Sequence, residues 1–140
     1  MNIQELQQSI VKEFSQFENW ENKYSHLIEI GKACSIDDKY KTDQYKVRGC
    51  QSSVWMFAEM KEGKIYFYAD SDAAIVRGLV ALLLKVYSGR TPEEVIHTPP
   101  DFLEELGLKT HLSQTRASGL ASMIKQMRLY AFALSIKNQK

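Results

Sequence analysis

Charge of one sign is the first thing this sequence lacks. Its 18 Lys and Arg residues meet 17 Asp and Glu residues, leaving a net charge of +1. No bulk field therefore draws the chain to nucleic acid or to an anionic membrane. Long apolar runs are also missing. The most apolar stretch, Ala73 to Tyr87, is too short to span a bilayer and is interrupted by Arg77 and Lys85. Met1-Asn2-Ile3-Gln4-Glu5 has no basic segment leading into an apolar core, so no secretory signal is expected. Cysteine is scarce. Two residues, Cys34 and Cys50, in a chain without a visible leader point to a reducing cytoplasm where thiols stay free, although the sequence leaves a pairing between them open. The three histidines, His26, His97 and His111, lie far apart and show no metal-ligand spacing. Cys-x-x-Cys, P-loop and dinucleotide fingerprints are absent, which leaves metal and nucleotide cofactors without support. No internal repeat, linker or low-complexity segment is seen.

What is present fits one domain. A chain of 140 residues with 44% hydrophobic and 25% charged residues is of a size to bury a core without staples. Ile3, Leu6, Ile10, Phe14 and Phe17 recur at helical spacing, and Trp20, Tyr24, Leu27, Ile28 and Gly31 continue a second stripe. The polar segment from Ser35 to Gln44 reads as a loop, and Tyr45 to Val47 as a brief strand. Val54, Met56, Ala58 and Met60 alternate with Trp55, Phe57 and Glu59. After Lys61-Glu62-Gly63, Ile65, Phe67 and Ala69 alternate with Tyr66 and Tyr68, which predicts an antiparallel hairpin with both faces partly covered.

From Asp72 the period becomes helical, with Asp70, Ser71 or Asp72 available as N-cap, and the segment to Val86 reads as the central buried helix. Thr91-Pro92-Glu93-Glu94 predicts a capped short helix that Pro99-Pro100 ends. A short helix over Asp101 to Leu106 should stop at Gly107, and a last helix should run from Gln114 towards Ile136. Helices, a small antiparallel sheet, then helices give an α+β domain of two layers.

The chemistry concentrates in Val47-Arg48-Gly49-Cys50-Gln51-Ser52-Ser53-Val54-Trp55. Gly49 admits a sharp turn just before Cys50, and the run from Val54 reads as a strand, so the thiol should sit on the tight loop feeding that strand. A buried cysteine used as a small hydrophobe is the bland alternative, but the polar Gln51-Ser52-Ser53 tail looks like a loop. Only a minor fraction of an ordinary thiol, with a pKa of ~8.5, is ionised near neutrality, so a nearby cation would help it act as a nucleophile. Arg48 is close in sequence, yet an exposed loop arginine is usually only solvated. Arg116 stands near a helix start, where the helix dipole disfavours a cation and an anionic partner is called for. Gln51 and Ser52 are expected to shape the turn, and Asp72 to cap the helix.

These segments carry a resemblance. Val-x-Gly-Cys-Gln-Ser-x-Val-Trp resembles the active-site signature of the SufE family, the sulfur acceptors of iron–sulfur cluster assembly. It continues through Asp70-Ser71-Asp72-Ala73, Val76-Arg77-Gly78-Leu79 and Leu112-Ser113-Gln114-Thr115-Arg116-Ala117-Ser118-Gly119-Leu120, in the family's order over most of residues 1–140. The resemblance implies a single SufE-like domain with a three-stranded antiparallel sheet packed on helices, similar in fold to the scaffold protein IscU. It implies that Cys50 accepts sulfur as a persulfide from a SufS-like, pyridoxal-phosphate-dependent cysteine desulfurase and passes it to a SufBCD-like scaffold. The chain would then be an accessory protein, not an enzyme, with no cofactor of its own, as a monomer or weak homodimer in the cytoplasm. Arg116 falls in a family element near the cysteine loop, as thiolate or loop partner. Asp72 falls at an acidic position near that loop, where loop release is a second role. Cys34 departs from the apolar-Pro pair usual there.

Three rivals remain at this point. A CsdE-type acceptor would share the chemistry and differ in its desulfurase. A cysteine-nucleophile hydrolase or peroxidase would need a base beside Cys50, the nearest histidines in sequence being His26 and His97. A pure interaction module would use Cys50 only for packing. Trp55, Phe57 and Tyr66 are candidates for an apolar cover over the loop, with core packing as the commoner role of strand aromatics.

Overall fold

A computed structural model describes residues 1–138. Two helices open the chain, α1 (Ile3–Ser15) and α2 (Trp20–Gly31). The first starts with a reciprocal capping box, in which the Asn2 side chain takes the Glu5 amide and the Glu5 side chain takes the Asn2 amide. Of the predicted stripe Ile3, Ile10 and Phe14 are buried, with Gln7 beside them; Leu6 is half-buried, and Phe17 lies beyond the end of the helix. Gln7 is satisfied inside by accepting from the Phe102 amide at 3.2 Å.

Strands β1 (Val54–Lys61) and β2 (Lys64–Ser71) form an antiparallel hairpin, with Val54 opposite Ser71 and Lys61 opposite Lys64. Val54, Met56, Ile65, Phe67 and Ala69 are buried on the inner face. On the outer face Phe57 stacks between Tyr40 and Tyr68, with Tyr45 at its edge. The segment predicted as a loop, Ser35 to Gln44, thus contributes the short 3-10 turn Asp38–Tyr40, which with the turn Asp43–Tyr45 covers that outer face.

The sheet has two strands among the described residues, not the three expected. Where the third was placed, Lys46 pairs with Trp55 as a single bridge, and the Val47 amide donates to the Val54 carbonyl at 2.8 Å. The 3-10 turn ends at Tyr45, and only Lys46, Val47 and Arg48 precede the left-handed Gly49, so too few residues remain for a strand. The far edge is met in the same way by a bridge between Ile65 and Arg90.

Helix α3 (Ala74–Tyr87) is the central buried helix. It begins later than its pattern suggested. Its N-cap position is Ala73, without a side-chain cap bond, so Asp70, Ser71 and Asp72 lie before the helix and are free for other work. The crossing of α2 and α3 is very close: a Cβ on Gly78 would stand 2.3 Å from the Leu27 carbonyl oxygen, and one on Gly31 would stand 2.7 Å from the Gly78 nitrogen. The helix α4 (Pro92–His97) carries the predicted Thr91/Glu94 capping box. After α5 (Phe102–Glu105) the chain turns through Gly107 into α6 (Leu108–His111), a single turn that the pattern did not suggest. The long α7 (Gln114–Asn138) closes the layer, burying Leu120, Met123, Met127 and Ala131.

Candidate functional site

The loop carrying Cys50 is pinched at its neck and rests by its tip on α7. Gly49 has a φ of +88°, in the left-handed region that side chains resist, and a Cβ there would lie 2.4 Å from the Ser122 hydroxyl. The backbone conformation is what requires glycine before the cysteine, since the Ser122 hydroxyl can turn aside. The tip bonds are weak. The Cys50 thiol, a weak donor, donates to the Gly119 carbonyl at 3.5 Å, an ordinary length for sulfur, and the Ser122 hydroxyl donates to the Gly49 carbonyl at a long 3.5 Å.

At the neck the bonds are shorter. The Ser71 hydroxyl donates to the Ser53 carbonyl at 2.8 Å, and the Ser53 amide donates to the Asp72 carboxylate at 3.0 Å. The Asp72 amide returns to the Ser53 carbonyl at 3.2 Å. Asp72, expected as a helix cap, instead ties down the cysteine loop.

Cys50 opens on a cleft of about 400 Å³ whose walls include Gln51, Ser52, Val76, Arg116 and Met123. The structure thus gathers Cys50, Gln51, Ser52 and Arg116 around one space, with Gly49 behind and Asp72 at the neck. Arg48 is exposed and lines none of it. Arg116 reaches the cleft from the first turn of α7, its amide accepted by the Ser113 hydroxyl at 3.2 Å. No ion pair or side-chain hydrogen bond engages its guanidinium among the described residues.

Burial pushes the Cys50 thiol above the ordinary cysteine range, and no neighbouring charge offsets it. Cys34, also a free thiol, is pushed up to about 11, first by burial and then by the carboxylate of Asp70. Its own groove lies on the opposite flank of α3, beside Phe67 and Leu84. A larger groove of about 900 Å³ runs between α7 and the Pro99–Pro100 segment, but it holds neither cysteine and no histidine.

The base required by a cysteine hydrolase is not beside the thiol. His26 pairs with Glu13 at 2.8 Å under Phe14 and Phe17, His97 ends α4, and no histidine lines the Cys50 cleft. Trp55, Phe57 and Tyr66 do not line it either; they belong to the outer face of the hairpin. Among the described residues no three His, Cys, Asp or Glu side chains group as a metal site, and no helix is long and apolar enough to cross a membrane.

Comparison with known proteins now adds the decisive observation. Residues 8–131 match the family model described as SufE, the Fe-S metabolism associated domain. The chain belongs to the SufE family. It is 39% identical over 135 residues to SufE-like protein 1, chloroplastic/mitochondrial, of Arabidopsis thaliana, covering 95% of this chain and 36% of that protein. It is 36% identical over 128 residues to an uncharacterized SufE-like protein of Synechocystis sp., covering 91% of this chain and 80% of the relative. The chain thus spans about a third of the first relative and most of the second. A hypothetical protein from Thermus thermophilus, solved in solution, shares the fold with a TM-score of 0.75 at 21% identity, over 91% of this chain and 94% of that one.

SufE membership places the chain in iron–sulfur metabolism. Several residues that frame that thiol escaped the sequence reading as functional: Ser53, Ser71, Gly119 and Ser122. Ser71 and Gly119 lie inside the segments that resemble the family. Only the geometry shows that Gly119 offers its carbonyl to the thiol.

Proposed function

We propose that this SufE-family chain accepts sulfur on Cys50 from a SufS-like, pyridoxal-phosphate-dependent cysteine desulfurase and carries it to a SufBCD-like scaffold. The observation supporting this most directly is the position of Cys50: a free thiol at the tip of a glycine turn, opening on a cleft with an unpaired arginine. The step needs no oxidant. The Cys50 thiolate attacks the outer sulfur of the desulfurase persulfide, a new sulfur–sulfur bond forms on Cys50, and the old one breaks. The desulfurase cysteine leaves as a thiolate, and the proton on the transferred sulfur stays there in the Cys50 persulfide or is lost to solvent.

Removing sulfur returns the desulfurase to its free form, which is how an acceptor activates it without a second active site. Arg116 is the cation available in the cleft to a persulfide anion. Gly49, Gln51 and Ser52 give the loop its shape. The chain acts as an accessory protein in the cytoplasm, and the pyridoxal phosphate belongs to the partner.

Intact-mass analysis after incubation with desulfurase and cysteine tests the proposal. One added sulfur should appear, map to Cys50, and disappear on reduction. A functional persulfide mapped to Cys34, or none on a chain that still activates the desulfurase fully as Cys50→Ala, rejects it.

A further inference from the structure

We infer that Arg77 is a positioning residue for the cysteine loop, acting through Ser71 at the loop's neck. Its purpose rests on the sulfur-acceptor reading; its geometry does not. Asp70 has a side chain only 5% exposed, and a buried carboxylate must be paired and hydrogen-bonded to be tolerated. It is met by the Arg77 Nε at 2.9 Å, by the Lys41 Nζ at 3.4 Å and by the Ser71 amide at 2.8 Å. The carboxylate therefore fixes the orientation of the guanidinium.

That guanidinium in turn places two donors on one acceptor. Nε and Nη2 of Arg77 both donate to the Ser71 carbonyl, at 3.1 and 2.9 Å. The peptide so held is the one that clamps Ser53, through the Ser71 hydroxyl, the Asp72 amide and the Asp72 carboxylate. The chain of contacts runs from Asp70 to Arg77, to Ser71, to Ser53, and ends three residues from the thiol.

Donor strength says which part of the loop is freer to move. Neck contacts are N–H and O–H bonds of 2.8 to 3.2 Å, whereas the tip is held on α7 by a thiol, a weak donor, and by one long hydroxyl bond of 3.5 Å. The tip is the weaker attachment, and the neck is the hinge about which it lifts. Arg77 sets where the hinge stands, and so where Cys50 points both on α7 and off it.

Two variants test this without removing the charge that Asp70 needs. Arg77→Lys keeps a cation opposite Asp70, but one ammonium cannot reproduce the planar fork on the Ser71 carbonyl. Ser71→Ala leaves the Asp70–Arg77 pair and deletes the hydroxyl bond to Ser53. In each, alkylation of native Cys50 by a bulky maleimide should rise about fivefold, as expected when one hydrogen bond is lost from the closed state. Amide exchange should quicken over residues 48–54 and stay unchanged in α7. Alkylation at the wild-type rate in both variants overturns the inference. Exchange quickened throughout the chain also overturns it, since that marks a merely structural arginine. Sulfur uptake by the wild type reads the acceptor role separately, so a chain that takes no sulfur but shows these alkylation changes rejects only that role.

Discussion

At Cys50 two requirements oppose each other. Attack on a persulfide needs a thiolate, while the partial burial that shelters the thiol favours its neutral form. Burial wins in the resting protein, because Arg116 lines the cleft without contributing to the thiol's ionisation. On the proposed reading the arginine serves an anion that enters the cleft, not the resting thiol. Since the folded pKa is raised, the thiolate fraction at neutral pH falls below that of the unfolded chain and recovers only as pH climbs past the folded value. Alkylation of native Cys50 by a small reagent should therefore reach half its plateau at higher pH than in denaturant. Arg116→Ala should leave that profile in place and slow sulfur uptake from the desulfurase by about tenfold, the loss of roughly one charge-assisted bond. A profile that shifts in Arg116→Ala, with sulfur uptake unchanged, would assign the arginine to the resting thiol instead.

Among the elements, the crossing of α2 and α3 has no room for a side chain at Gly78. Gly78→Ala would gain up to about 1 kcal/mol from helix propensity. The new methyl would meet the Leu27 carbonyl oxygen at 2.3 Å, and that atom cannot retreat without moving α2. Overpacking of this kind costs about 1–3 kcal/mol, so the clash should win. A lowered denaturant midpoint is expected, and an unchanged or raised one would show that the helices can part cheaply. The sequence exposed these helices through their apolar periods, and the hairpin through its alternation around Lys61-Glu62-Gly63. It was silent on the close approach, because a glycine that admits a neighbouring backbone leaves no periodic trace. The missing third strand has a similar origin. Lys46 and Val47 have strand-like neighbours, and only the turns on both sides show that the ladder stops at one bridge. Asp72 could be read as a cap from its position alone; its bond to Ser53 depends on α3 starting two residues later.

The whole molecule brings these parts together around the Cys50 thiol. The hairpin and α3 hold the neck of the cysteine loop, and α7 receives its tip while supplying Arg116 to the cleft. A persulfide is readily lost to competing thiols and oxidants, so a carrier gains from keeping it against α7 between partners. The weak thiol bond at the tip makes that shelter easy to leave, and Asp72, which accepts from the Ser53 amide, is exposed at the neck. Alkylation of Cys50 by a bulky reagent should therefore be slow in the isolated protein. It should be faster when a cognate desulfurase is bound, and faster in Asp72→Arg, where the Ser53 amide loses its acceptor. Removing one such charge-assisted bond corresponds to about a tenfold change. Were isolated wild-type protein alkylated as fast as an unfolded control, the shelter would not exist, and the loop would be an open platform whose sulfur is protected by the speed of its delivery.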